Sequence, residues 1–484
     1  MTEPQLPYTI VDDNFVGGAW VPSSSADRID VINPATEEPW GRVPASNAQD
    51  LDAAVAAARR ALPSWRATPP ADRAALMLRF ADEIERRALP LSHTYTAENG
   101  SPIAETSTAA ANAASILRFF AGFADVLAVP DVRAFPDGSA ETLVRWDPVG
   151  VCALIAPWNF PINLVMVKLA PALIAGCTVV IKPASTTPLS IRLIADAAAA
   201  AGIPAGVVNV ITGNGALGDL LVRHPGVDKV AFTGSTPVGR RIAAACGELL
   251  RPVTLELGGK SSALVLPDAD LEQMASVLIR TCLRNTGQTC YISTRILAPA
   301  SRYDEVVEMV TATVAAQRQG DPMDSATVFG PSANRAQFET VRGYIRSGIA
   351  EGARPMTGGD VESGFERGYF ITPTVFADVT EGMTIAREEI FGPVLTILRY
   401  DDVEEAITLA NNTEFGLGGT VFSADPQRAL EVAARIDSGS IGINFFASNH
   451  AAPFGGRRDS GLGLEYGREG LNAYLSPQSV HRRP

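Results

Sequence analysis

Cys290 closes the hexapeptide "NTGQTC" and is one of five cysteines, the others being Cys152, Cys177, Cys246 and Cys282. An odd number without a CxxC pair argues against a disulfide framework and against zinc-ligand spacing. His93, His224, His450 and His481 form no HxxxH or HExxH arrangement, so no metal-dependent mechanism is expected. A lone thiol is by default buried and inert. Cys152, Cys177, Cys246 and Cys282 are read that way, and Cys290 departs from it only if partners for covalent chemistry lie elsewhere in the chain.

Two glycine loops compete for the phosphates of a dinucleotide. "TGNGALG" places Gly213, Gly215 and Gly218 in a GxGxxG pattern after an apolar run. The acidic residue expected about 20 positions later is missing, because Asp228 precedes the next strand-like run instead of ending it. "FTGSTPVG" runs from a strand into Gly234 and Ser235, with Pro237 in the first turn of a following helix whose free amides suit a diphosphate. The second loop is favoured.

The chain has 484 residues, which at roughly 100 to 200 residues per domain implies two to four domains. Its 46% hydrophobic and 19% charged residues are those of a globular protein. A net charge of -13 argues against a nucleic-acid partner. "MTEPQLPYTIVDDN" lacks the basic and apolar regions of a secretion signal, so the cytoplasm is the expected location. Residues 149 to 183 are mostly apolar, but Pro157, Asn159, Pro161, Asn163, Lys168 and Pro171 interrupt them. They are expected to form strand, loop, helix and strand, with no membrane span. Of 40 basic residues only Lys168, Lys182, Lys229 and Lys260 are lysine, a bias read as coding preference, against which the remaining lysines are expected to be enriched for sites where a compact ammonium does what a guanidinium cannot. Lys182, ending "CTVVIK", is the best candidate, and Lys229 in "HPGVDKV" is expected to be a solvated surface charge.

The elements that must position these residues follow from periodicity. A Ser46 to Gln49 capping box opens a helical pattern, others cover 71 to 88 and 104 to 128, and the opening third is expected to be mainly helical. "FPDG" between two short runs predicts a hairpin over 131 to 146. From residue 150, apolar runs ("VCALIA", "CTVVIK", "VVNVIT", "KVAFTG", "SSALVL") alternate with helical patterns, which predicts an α/β fold with parallel sheets. A second α/β domain follows residue 260, and the tail from 471 is short and strand-like.

"APWNFP" (156 to 161), "FTGS", "LELGGKS" (255 to 261), "NTGQTC", "EEIFGPV" (388 to 394) and "PFGG" (453 to 456), in this order, resemble the aldehyde dehydrogenase superfamily over nearly the whole chain. The resemblance implies a Rossmann-type cofactor domain over 1–127 and 149–258, a catalytic domain over 259–459, and a small β oligomerisation element from 128–148 and 474–484. It implies oxidation of an aldehyde to the acid with NAD or NADP and water, in EC 1.2.1 with 1.2.1.3 expected, by a homodimer or homotetramer. It makes Cys290 the nucleophile, Asn159 the oxyanion donor and Glu256 the base that activates water. Lys168 and Glu465 resemble proton-relay groups, with an ion-pair role equally open.

For the cofactor, Lys182 resembles the lysine on the adenosine ribose, and Glu389 with Phe391 resembles the pair on the nicotinamide side. Ile155, Pro157, Trp158, Phe232, Gly234, Ser235, Val238, Leu257 and Gly258 complete the expected set. Ser185 stands where many NAD-preferring members carry Glu, so the repulsion of a 2'-phosphate is absent and NADP use is expected alongside NAD. Phe160, Leu164, Thr289, Tyr291, Phe446 and Phe454, with Phe445, predict an apolar substrate tunnel for an aromatic or medium-chain aliphatic aldehyde. No basic residue is placed by the sequence to hold a substrate carboxylate. The alternatives are a semialdehyde dehydrogenase and a non-catalytic protein on this fold; Glu256 disfavours transfer to coenzyme A.

Overall fold

The computed structural model describes residues 12–360 and 364–483. Most of the N-terminal segment read for a leader, three residues of the expected catalytic domain and the last residue of the expected oligomerisation element lie outside them.

The apolar runs become the first sheet. Val151–Ile155, Thr178–Lys182, Val208–Val210, Lys229–Thr233 and Val253–Glu256 are buried at nearly every position, as strands covered on both faces must be. They pair in parallel in the order 208–210, 178–182, 151–155, 229–233, 253–256, so the strand order reverses between 151–155 and 229–233. Loops leaving the carboxyl ends at such a reversal diverge and open a crevice. Here those loops carry the "APWN" and "GS" segments. Antiparallel strands close both edges, Asp13–Val16 with Ala19–Pro22 on one side and Gly461–Leu462 on the other.

A second sheet orders Arg354–Thr357, Thr374–Ala377, Val394–Tyr400, Arg295–Pro299, Ser262–Val265, Thr420–Phe422 and Gly442–Ile443, parallel except for its first pair. The expected hairpin is Asp131–Ala134 with Glu141–Pro148, and Leu475–Arg482 from the tail adds a third strand. Residues 149 to 183 form strand, loop, helix Pro161–Ala175 and strand. The apolar segment 103–128 is divided into helices Ile103–Thr106, Ala109–Ala121 and Ala124–Ala128.

The opening third is mainly helical, as expected, although the short strands Asp13–Val16, Ala19–Pro22, Arg28–Asn33 and Glu38–Pro44 precede its first helix. Two expectations need correction. The first helix, Ala48–Ala67, is capped by Asn47 with Asp50 in a capping box, one residue beyond the expected Ser46. Ser46 is instead tied to the first sheet, its hydroxyl donating to Asn14 Oδ1 at 3.0 Å and its N–H to Thr212 O at 3.0 Å. Lys229 is not solvated. It is 1% exposed, its Nζ donates to Thr254 Oγ1 at 2.8 Å, and it lies 5.1 Å from the Tyr474 ring centre.

All four lysines are in fact buried. A guanidinium at position 229 would overfill a site built for an ammonium. Lys229→Arg is expected to cost about 1–3 kcal/mol, read as a lowered thermal unfolding midpoint; an unchanged midpoint would show that the site has room.

Candidate active site

The turn carrying Cys290 is strained. Helix Leu271–Cys282 ends, and Asn285, Thr286 and Gly287 follow with φ of 54°, 56° and 76°. Left-handed backbone at a β-branched residue such as Thr286 is costly and persists only where surroundings hold it. Thr286 Oγ1 accepts from the Gly330 N–H at 3.0 Å, Asn285 Nδ2 donates to Asn159 O at 3.0 Å, and Gln288 Oε1 accepts from the Ala333 N–H at 2.9 Å. The turn leaves Cys290 half-buried, whereas Cys152, Cys177, Cys246 and Cys282 are fully buried.

The separated motifs meet through their glycines. A Cβ at Gly287 would fall 1.9 Å from Gly392 O, one at Gly259 2.4 Å from Cys290 O, and one at Gly258 2.5 Å from Glu389 Oε2. Asn159 Nδ2 donates to Gln288 O at 3.0 Å, and the Trp158 and Phe391 rings meet edge to face at 5.3 Å. The cavity at this meeting point, about 200 Å3, is lined by Pro157, Trp158, Asn159, Gly234, Ser235, Leu257, Gly258, Cys290, Glu389 and Phe391, all expected. Thr233, Gln337, Thr340 and Ile390 also line it and were not anticipated. Gln337 donates to Ile390 O and Phe391 O from a helix that carries no motif, so only the fold brings it in.

Of the two glycine loops, the second borders this cavity. The helix Thr236–Glu248 behind it has no side-chain cap at Ser235 and no acidic residue in its first turn, which leaves its amides and positive end for an anion. Gly218 of the first loop instead backs the stem of Lys182, where a Cβ would lie 3.6 Å from Cδ and Cε. Lys182 Nζ donates to Pro183 O at 3.1 Å, and burial brings its pKa down to about 8. An ammonium has three N–H donors, so this arrangement fits ribose hydroxyls as further acceptors. Ile155 and Phe232 are buried beside this side of the sheet, Val238 packs on the same core, and Ser185 is half-buried.

Electrostatics at the site are governed by burial. Glu256 is 3% exposed and neither carboxyl oxygen has a hydrogen-bond partner; Gly455 leaves room for it, since a Cβ there would lie 3.2 Å from Oε1. Burial, then the Glu465 charge, raises its pKa well above the carboxylate range against the pull of Lys168. Lys168 and Glu465 form a buried ion pair at 2.7 Å, and Lys168 Nζ also donates to Thr233 Oγ1 at 2.6 Å. Glu389 accepts from the Gly259 N–H at 2.9 Å and is pushed up to about 7, mainly by burial. Burial, then the charges of Glu389 and Glu256, raises the Cys290 thiol well above its ordinary value.

On the other side of Cys290 the aromatic residues expected for a tunnel come together. Tyr291 stacks on Phe446 at 4.7 Å and meets Phe454 edge-on at 6.2 Å. Phe160, Leu164, Tyr291, Phe446 and Phe454 are each part-exposed, while Phe445 is exposed to solvent. Thr289 is buried and its hydroxyl donates to Arg284 O at 3.0 Å. The sequence reading missed a basic residue here: Arg284 lies 5.0 Å from the Phe160 ring centre and donates to Tyr291 Oη at 2.5 Å. Its partner, Glu105, is distant in sequence, so no local pattern announces it.

A family model described as "Aldehyde dehydrogenase family" matches residues 20–480. A geranial dehydrogenase from Castellaniella defragrans is 50% identical over 470 residues, covering 96% of this chain and 98% of that protein. Among solved structures, an aldehyde dehydrogenase of Mycobacterium tuberculosis complexed with NAD+ superposes with a TM-score of 0.94 at 42% identity, covering 97% of this chain and 98% of the other. Aldehyde dehydrogenase C of Pseudomonas syringae, as a mutant in complex with NAD+ and octanal, gives 0.93 at 39% identity, covering 97% and 96%. Matched from its first sheet to its C-terminal strand, this chain belongs to the aldehyde dehydrogenase family and is an enzyme that oxidises aldehydes with NAD or NADP.

Proposed function

We propose that the chain oxidises an apolar aldehyde, aromatic or medium-chain aliphatic, to the carboxylic acid by a hydrolytic route through Cys290, within EC 1.2.1.3. The observation that carries this reading is the convergence on one thiol of the Asn159 amide, the carboxyls of Glu256 and Glu389, and a part-exposed aromatic wall. Geranial and octanal, named for two relatives, are aldehydes of the expected apolar kind.

In this mechanism the Cys290 thiolate adds to the aldehyde carbon, and the oxyanion is met by the Cys290 N–H and the second Asn159 Nδ2 proton, donors worth roughly 10²–10³ in rate each. Lys182 and Ser185 hold the adenosine ribose, the helix end at Ser235 takes the diphosphate, and Ile155, Pro157, Trp158, Phe232, Gly234, Val238, Leu257 and Gly258 form the walls. Glu389 and Phe391 fix the nicotinamide side. When bound, the dinucleotide supplies the hydride acceptor, so that a thioester remains on Cys290. Glu256 then takes a proton from water as the oxygen attacks the thioester, the C–S bond breaks to release the acid and return the Cys290 thiolate, and the proton passes from Glu256 to the Glu465 carboxylate beside Lys168. Residues 1–127 and 149–258 serve as cofactor domain and 259–459 as catalytic domain. The oligomerisation element over 128–148 and 474–484, whose strands Asp131–Ala134, Glu141–Pro148 and Leu475–Arg482 leave Val132, Trp146 and Val480 exposed, joins subunits into a homodimer or homotetramer. The expected place of action is the cytoplasm.

Initial rates of NAD(P)H formation across geranial, octanal, benzaldehyde, betaine aldehyde and ω-oxo acids test the substrate class. Neutral apolar aldehydes are expected to lead, and a tenfold preference for a charged one would overturn it. With a raised Glu256 pKa, the base form grows as pH rises, so turnover is expected to rise with pH above the ordinary carboxylate range, and a profile already flat there would remove Glu256 as the titrating base. Glu256→Gln should leave an acyl group on Cys290, visible as added mass on that peptide; a clean Cys290 under substrate would remove Glu256 from the role. Ser185→Glu should raise KM for NADP by more than about tenfold while NAD changes far less, and parallel shifts would show that position 185 does not read the 2'-phosphate.

A further inference from the structure

Arg284 sits six residues before Cys290 and is largely buried at the aromatic wall, with 23% of its side chain exposed. Its guanidinium is committed on two sides. Nε donates to Glu105 Oε1 at 2.9 Å and Nη2 pairs with the same oxygen, while Nη1 donates to Tyr291 Oη at 2.5 Å. Its face lies over the Phe160 ring. Glu105 comes from the short helix Ile103–Thr106 and is 27% exposed. An apolar wall needs no cation, and burying one is costly unless its partner is present. A planar guanidinium is also the group best shaped for a carboxylate.

We propose that Arg284 is a masked carboxylate-recognition group, which Glu105 neutralises so that the substrate passage admits uncharged aldehydes and refuses aldehyde acids. The inference rests on the apolar-aldehyde reading above and gives it a cause. A substrate carboxylate approaching Arg284 must displace Glu105 or share the cation with a second anion, and either course is unfavourable. Once the Glu105 charge is removed, the guanidinium lacks an anion and an ω-oxo acid of matching length can supply it. Tyr291 stays hydrogen-bonded to Arg284, so the ring stacked on Phe446 keeps its place.

The test measures kcat/KM for ω-oxo acids of four to eight carbons and for neutral aldehydes of equal length, in wild type, Glu105→Gln and the double variant Glu105→Gln with Arg284→Gln. Wild type should favour the neutral member of each pair. Glu105→Gln should raise the acid-to-neutral ratio by about tenfold or more for at least one chain length, and the double variant should return it to the wild-type range. A ratio unmoved in Glu105→Gln, or still raised in the double variant, overturns the masking. If Glu105→Gln fails to fold, Arg284→Met in the otherwise native protein decides: a masked guanidinium leaves the ratio within about twofold, whereas one already binding carboxylates lets it fall about tenfold. A wild type that prefers the acid overturns the apolar-aldehyde reading itself, an outcome separate from any response of the variants.

Discussion

Removal of water from ionisable groups is the constraint on which the site depends. Cys290, Glu256 and Glu389 lie at the seam between two sheets, where the fold supplies few partners for their charged forms. Glu256 has none at all, and burial raises the pKa of its carboxyl and of the Cys290 thiol beside it. The ion pairs close to the site are Lys168 with Glu465 and Arg284 with Glu105, each partner removed from water together with the other. In the proposed mechanism the thiol and the carboxyl are therefore groups poised to lose protons late, and the rise in rate with pH follows from their burial.

Sterics explain why the motifs recur as they do. The crevice exists because the strand order reverses between 151–155 and 229–233, and the loops leaving those strands bring Asn159 and Ser235 to its two sides. The glycines in "LELGGKS" and "NTGQTC" are the points where one motif's backbone touches the next, at Glu389, Cys290 O and Gly392 O. A side chain at any of these points would separate the nucleophile from the groups around it. The left-handed turn at Asn285 to Gly287 is the strain that this close approach requires.

Much of this was legible in the sequence, and what escaped has a physical reason. The five central strands of the first sheet are apolar throughout, so their composition announces them; the half-exposed strands before residue 44 carry no such signal. The capping box moved by one residue because Ser46 is held by Asn14 and Thr212, long-range contacts that local pattern does not encode. Lys229 follows a polar turn yet begins a central strand, and its ammonium is satisfied by Thr254 from the neighbouring strand. Arg284 was missed for the same reason, since its meaning lies in Glu105.

The account stands most directly on the protonation of Cys290 in the ligand-free protein. The rate at which iodoacetamide alkylates Cys290, followed on its own peptide by mass, reads the thiolate fraction as pH is varied. The account predicts a rate that is still climbing above about pH 9.5, beyond the ordinary thiol range. A plateau with its midpoint at or below about 8.5 would contradict it, because the thiol would then be ionising as freely as one in water.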